Sequence, residues 1–128
     1  MTPIDFAKSA QIIIDHGKWQ GKNFVDPNYA DNLIKVQRPK VNPSFALFHH
    51  INGDAFCQMD GKKIPHKLLP GAPDDTFLMY GNGGQLVAGI PSKGLVVVRT
   101  GNHPETIYHK NNFIAHLLGK IAASVTEA

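Results

Sequence analysis

The chain has one cysteine, Cys57, among its 128 residues. A single thiol excludes an internal disulfide and a zinc site built from several cysteines, and we interpret it as a buried or incidental thiol. No apolar run approaches the roughly 20 residues that a membrane-spanning helix requires, so we predict no membrane span. The first residues lack a basic segment before an apolar one, which predicts no signal peptide and leaves the compartment unknown.

The sequence also lacks clusters of positive charge, although it is mildly basic. The net charge is +3, and the 13 lysines and arginines are scattered along the chain. No basic cluster and no basic strand interleaved with aromatic residues is present, so nucleic-acid binding is disfavoured. What remains is an ordinary globular composition, 42% hydrophobic and 18% charged. At this length it predicts a single domain over residues 1–128, with no cofactor motif.

The order of predicted elements favours an α+β fold. Helices are expected over residues 2–16, from Asp26-Pro27 to before Pro39, and over residues 111–125, each from its cap and apolar stripe. Strands are expected over 45–51, 85–90 and 95–100, whereas 53–76 has no clear element. The last two strands are joined too tightly for a crossover and must be antiparallel. We therefore predict an antiparallel sheet of at least three strands, with the N-terminal and C-terminal helices packed on one face.

The stretch from Phe77 to Gly101 organises the chain as a β-hairpin with a glycine-rich entrance. We take that entrance as the candidate substrate-binding site, which comprises Tyr80, Gly81, Asn82, Gly83, Gly84 and Gln85. Asn82 can donate and accept hydrogen bonds but cannot titrate, and the glycines allow the backbone to approach a ligand. Tyr80 could stack or donate its hydroxyl. The same residues also suit a plain tight turn into a strand.

Other polar groups give weaker signals. His49 and His50 are adjacent on a predicted strand, so their side chains should point to opposite faces and cannot chelate one metal. His103, His109 and His116 lack the spacing of a helical zinc pair, and we predict no metal site. Asp74 and Asp75 could form a carboxylate pair, but a role in the turn is favoured. Arg99 is expected in a surface ion pair or at the rim of the sheet.

The hairpin stretch resembles the C-terminal part of the serine β-lactamase-like hydrolases, and is most similar to the 6-aminohexanoate-dimer hydrolase type. In that type the segment reads P-x-D-T-F, G-[HN]-G-G-Q, I-P-S and L-V-V-V-R. Here the corresponding letters begin at Pro73, Gly81, Ile90 and Leu95. The segment D-F-A-K-S-A-Q-I-I-I-D-H-G-K-W, from Asp5, also resembles a helix and turn of the family, so the similarity spans nearly the whole chain.

This resemblance implies amide or ester hydrolysis through an acyl-serine, with the hairpin entrance on the substrate side of the cleft. Such hydrolases need a Ser-x-x-Lys pair, and none of the four serines of the chain has lysine three residues later. Tyr80-Gly81-Asn82 spells the family's Tyr-x-Asn motif, but its position matches the third motif instead.

We therefore expect a C-terminal fragment of a β-lactamase-related serine hydrolase that carries no nucleophile and is inactive alone. Its partner would be a small amide or ester substrate in the full-length protein. The alternative is a stand-alone binding or oligomerising module derived from that family. An uncovered valine-rich strand edge invites pairing, so a homo-oligomer is expected in that case.

Overall fold

The computed structural model describes residues 2–102 and 106–126. Within them the chain forms, in order, α1 (Pro3–Ile14), β1 (Lys18–Trp19), β2 (Lys22–Asn23), α2 (Pro27–Leu33), β3 (His50–Ile51), β4 (Cys57–Met59), β5 (Lys62–Ile64), β6 (Phe77–Gly81), β7 (Gln85–Ile90), β8 (Leu95–Arg99) and α3 (Phe113–Ser124). The predicted α+β class is confirmed. In the described part of the chain, no helix has the length and apolar character needed to cross a bilayer.

Local capping explains where the first two helices begin. The hydroxyl of Thr2 accepts the Asp5 backbone N–H at 3.3 Å, and the Asp5 carboxylate accepts the Thr2 N–H at 3.0 Å. This capping box, led by the Thr2 backbone hydrogen bond, lowers the pKa of Asp5 to about 2. The carboxylate of Asp26 caps α2 by accepting the Tyr29 N–H at 3.1 Å. That helix ends at Leu33, earlier than expected.

The central sheet has four strands in the order β3-β6-β7-β8, and all neighbours are antiparallel. Its apolar residues alternate between two separate clusters on opposite faces. One face packs against α1 and the other against α3; the first cluster includes Ala10, Ile13, Phe77 and Val87, and the second includes Leu78, Ala88, Ile114 and Leu118. The prediction that the helices share one face was therefore wrong. Both faces of β6 and β7 are apolar, so both require cover.

The predicted strand over residues 45–51 is a tight reversal instead. The Ala46 N–H donates to the His49 carbonyl at 2.9 Å, and the Ile51 N–H donates to the Ser44 carbonyl at 2.8 Å. The chain turns at Leu47 and Phe48, which are both exposed. Only its last two residues, in β3, join the sheet. An apolar run therefore predicted an extended segment where the backbone folds back on itself.

The expectation of an irregular segment over residues 53–76 was wrong in its first half. β4 and β5 form a hairpin there, joined through Asp60 and Gly61, which adopt φ values of +49° and +75°. An Asp-Gly pair between two strands is a strong hairpin signal, because a type I′ turn needs two positive φ values.

The second half of that segment, residues 65–76, is fixed by two buried asparagines. The Asn52 amide nitrogen donates to three carbonyls, those of Leu69, Ala72 and Pro73. The Asn112 amide nitrogen donates to one more carbonyl of this segment, that of Leu68, and to those of Ile107 and His109 near the start of α3. Four carbonyls of a loop with little regular structure thus accept hydrogen bonds from side chains.

Candidate functional site

The structure brings the six predicted site residues to one end of the central sheet. Tyr80 and Gly81 end β6, a 3-10 turn covers Asn82–Gly84, and Gln85 begins β7. Gly83 and Gly84 adopt φ values of +74° and +79°, a region that side-chain-bearing residues rarely enter. The glycines are therefore required by the turn itself, whatever else they do.

A largely apolar pocket of about 380 Å³ opens beside this turn. Of the predicted residues it includes Tyr80, Gly81 and Gln85, while Asn82–Gly84 are not part of its lining. The other lining residues come from α1 and the three long strands and their ends: Phe6, Met79, Leu86, Val87, Val98, Arg99 and Thr100. Such a pocket suits the apolar part of a ligand lying against the sheet end.

The ring of Tyr80 is directed away from this pocket's main apolar wall. It packs with the cluster on the α3 face, together with Leu78 and Leu86. Met79 and Val87 point to the opposite face, toward α1. Because side chains alternate along a strand, Tyr80 and Met79 face opposite sides of the sheet.

The Gln85 side chain fastens two strand ends together. Its Oε1 accepts the Gly101 N–H at 3.1 Å, and its Nε2 donates to the Gly101 carbonyl. The amide thus acts like one more rung of the β7–β8 ladder. Gln85 was predicted to bind substrate, but in this structure its hydrogen-bonding groups hold Gly101.

Arg99 was expected in a surface ion pair or at the rim of the sheet, and its contact with the glycine turn was not predicted. Its guanidinium donates to the Gly84 carbonyl at 2.7 Å and lies 5.5 Å from the ring centroid of Phe113. It therefore braces the glycine turn against α3. Arginine following a valine-rich strand gave only a general signal for a residue at the sheet rim, and the turn carbonyl it reaches is 15 residues away.

Asn82 lies on the exposed outer side of the turn. Its amide can donate to and accept from a ligand there. Together with the apolar pocket, it gives the sheet end one polar and one apolar element.

The paired aspartates are engaged separately. Asp75 accepts the Ser92 N–H at 2.5 Å and the Ser92 hydroxyl at 2.9 Å, which fixes the turn between β7 and β8. Asp74 forms an ion pair with Lys67. Neither arrangement resembles two carboxylates that share a proton.

The two adjacent histidines face opposite sides, as predicted. His49 makes an edge-on contact with Phe77, at 5.7 Å between centroids, and His50 makes one with Tyr108 at 6.4 Å. Across residues 2–102 and 106–126, no group of three or more His, Cys, Asp or Glu side chains could hold a metal ion. Cys57 is fully buried, and burial raises the pKa of its thiol, so it is not an activated nucleophile.

Comparisons of this chain with protein-family models, with curated proteins and with solved structures found no match.

Proposed function

We propose that this chain is the C-terminal part of a serine β-lactamase-like hydrolase and supplies the substrate-side wall of its cleft. The full protein would hydrolyse an amide or ester through an acyl-serine. The observation that carries the proposal is the position of the glycine-rich motif at one sheet end, where Gly81 and Gln85 border an apolar pocket. The sequence resemblance supplies the reaction class.

Within that cleft the chain would bind and orient the substrate. Gly81 borders the pocket without a side chain, and backbone N–H groups are the usual donors to a developing oxyanion. Asn82 is exposed and can donate to or accept from a polar substrate group without taking its proton. The pocket would hold the apolar portion of the same substrate.

The chain offers no nucleophile of the expected kind. None of its serines is followed by lysine at the third position. Ser44 is buried, and its hydroxyl is bonded to Asn42 at 2.7 Å. Ser92 is bonded to Asp75 and Ser9 to the Phe6 carbonyl. The isolated chain should therefore not form an acyl-enzyme.

Hydrolysis assays test this directly. The chain alone should give no turnover of nitrocefin or p-nitrophenyl acetate above buffer and no labelling by a fluorophosphonate probe. Turnover that a serine-directed inhibitor abolishes would refute the proposal. If the DNA upstream of codon 1 encodes Ser-x-x-Lys and Tyr-x-Asn in frame, the longer product should be labelled on that serine. A stop codon in that reading frame would count against a hydrolase fragment.

A second candidate, a stand-alone oligomerising module, is favoured by the edge of the sheet. β8 pairs with β7 on one side, and no strand of the described residues pairs with its other side. The strand carries three consecutive valines and no proline, so little in it opposes pairing with another chain.

Measurements at increasing protein concentration distinguish the two candidate functions. In an edge-paired oligomer, the β8 amides that face outward should gain protection from hydrogen exchange as concentration rises, and light scattering should report the larger mass. A monodisperse monomer at micromolar concentration, with unchanged β8 exchange, would rule out the oligomerising module.

A further inference from the structure

The chain reversal over residues 44–51, here called the histidine reversal, forms one edge of the central sheet. Its strand β3 lies at the opposite end of the strand order from β8 and pairs only with β6, through His50 and Ile51. The two backbone hydrogen bonds that shape the reversal lie within the segment itself. The sheet therefore holds this segment through two residues at one end.

Little apolar surface anchors the histidine reversal to the core. Three of its large apolar side chains, Phe45, Leu47 and Phe48, are exposed. Segments with few buried apolar contacts open locally at a lower free-energy cost than core strands do. The next residue, Asn52, is buried and fixed by its side-chain hydrogen bonds to the loop over residues 65–76. Local opening would therefore end at Asn52.

His49 is buried inside this weakly anchored segment. Its side chain is 4% exposed and lies edge-on against Phe77. Neither ring nitrogen has a hydrogen-bond partner in the part of the chain that the structure describes. Burial, which the Leu33 backbone opposes only in part, lowers the pKa of His49. A charged ring would fit this position worse than a neutral one, because a buried charge needs a counter-charge.

The residues around the two histidines do not supply that counter-charge. In the groove beside His49, α1 and β6 contribute uncharged side chains, and the titratable group of α2 is Tyr29. On the other face, His50 contacts the rings of Phe45 and Tyr108. Burial, followed by the charge of His49, lowers the pKa of His50. Among the described residues, no carboxylate forms an ion pair with either histidine.

The β4–β5 hairpin contributes the titratable groups next to Tyr108. Burial, and then the charges of Cys57 and Asp60, raise the pKa of Tyr108. Burial also raises the pKa of the Cys57 thiol, so thiol and phenol are both neutral in mildly acidic solution. Asp60 is exposed, where solvent and salt screen its charge. A protonated His50 would thus face a neutral aromatic ring.

We propose that the histidine reversal is an acid-sensitive switch, which leaves the sheet when His49 and His50 are protonated while β6, β7 and β8 stay paired. Release hydrates both rings and uncovers the edge of β6 and the ring of Phe77. The open segment binds more protons than the closed one. Opening is therefore favoured as the pH falls below the ordinary histidine pKa of about 6.5, and the effect disappears above it.

Hydrogen exchange of the full chain at about pH 7.5 and about pH 5.5 tests the proposal. Protection factors remove the effect of pH on the intrinsic exchange rate. The Ala46 and Ile51 amides close the reversal, and their protection should fall at least about tenfold in acid, the effect of about one pH unit on one histidine. The Val87 amide should change by less than about twofold, because β7 is paired on both sides.

Two variants connect the opening to the histidines. His49→Leu combined with His50→Phe removes both titrating rings and keeps apolar side chains in their place. Its Ala46 and Ile51 amides should be equally protected at the two pH values. His116→Gln removes an exposed histidine from α3 and is the matched control, which should respond to acid as the wild type does.

Three results would overturn the proposal. Equal losses of protection at Ala46 and Val87 would mean that the whole chain unfolds in acid. Unchanged protection at Ala46 and Ile51 would mean that the segment does not open. A double variant that responds to acid like the wild type would exclude the two histidines as the cause. The first two results need no variant, and none of the three bears on the proposed hydrolase role, which is tested by turnover.

Discussion

The ring of Phe77 in β6 covers Gly89, its directly opposite partner in β7. A methyl group placed on Gly89 would overlap three carbons of that ring. Phe77 is completely buried, with the α1 cluster around it. The glycine is therefore needed because the aromatic ring occupies the space that a side chain would fill, rather than for an unusual backbone angle.

Gly89→Ala should lower the free energy of unfolding by about 1–3 kcal/mol, the usual cost of overpacking a well-filled core. Urea unfolding measures it. Gly53→Ala is the matched control, because its new methyl group would make only an ordinary contact, 3.6 Å from Ile51. If Gly89→Ala were as stable as the control, the ring could not lie where it is described. Adding Phe77→Leu should recover part of the loss, since the two changes act on one space.

Asn112→Ala should lower the free energy of unfolding more than the removal of an exposed helix cap does. The Oδ1 atom of Asn112 caps α3 by accepting the Ala115 N–H at 2.7 Å, and its Nδ2 atom donates to three carbonyls. Losing the cap and leaving buried carbonyls unpaired should cost about 2–4 kcal/mol. Thr2→Ala removes the exposed cap of α1 and should cost about 1 kcal/mol. Equal losses in the two variants, measured by chemical denaturation, would contradict the bracing role of Asn112.

Stability should fall as the pH drops below about 6.5. Burial lowers the pKa of His49, and burial followed by the charge of His49 lowers the pKa of His50. Between the unfolded-state pKa and these lower folded-state values, the unfolded chain binds more protons, so acidification favours unfolding. Above that window both histidines are neutral in both states and the dependence disappears.

Unfolding free energies measured between about pH 7.5 and pH 5 check this expectation. The double variant His49→Leu with His50→Phe should show a flatter profile over the same range. If the wild type became more stable as the pH fell, the pH dependence would have the opposite sign, and burial could not be what lowers the two histidine pKa values.

Gln85→Met should loosen the end of β8 without unfolding the chain. The variant keeps the length of the side chain but removes both hydrogen bonds to Gly101. Faster hydrogen exchange at the Gly101 amide is the expected result, with a stability loss of no more than about 1 kcal/mol because the site is exposed. Asn82→Ala should leave that amide unchanged. Unaltered exchange in Gln85→Met would mean that the side chain does not hold the strand end.

Local signals in the sequence were sufficient for much of the fold. Thr2-Pro3-Ile4-Asp5 predicts where α1 begins, because a helix start is satisfied by residues within one turn. The glycine turn and the antiparallel pair after it follow from short-range chemistry in the same way. The six site residues come together for this reason, since they are contiguous in sequence.

Features that depend on distant residues were not predictable in this way. β6 and β7 are apolar on both faces, so the strand pattern does not tell which face α1 or α3 will cover. The reach of Arg99 to the Gly84 carbonyl follows from strand register, and the burial of His49 follows from the reversal at Leu47. The Asp60-Gly61 hairpin is different, because its turn signal is local in the sequence.

The bonds of Asn52 to the loop carbonyls also have a chemical consequence over time. Asn52 is followed by Gly53, and an asparagine before glycine is readily deamidated when its backbone is free to cyclise. In the folded chain its amide is buried and held by carbonyls, which prevents that reaction. In the unfolded chain the amide can convert to a carboxylate, which would repel the carbonyls it must bind on refolding. Each unfolding event is thus an opportunity for irreversible loss, and peptide mapping after repeated thermal cycles should find the modification at Asn52.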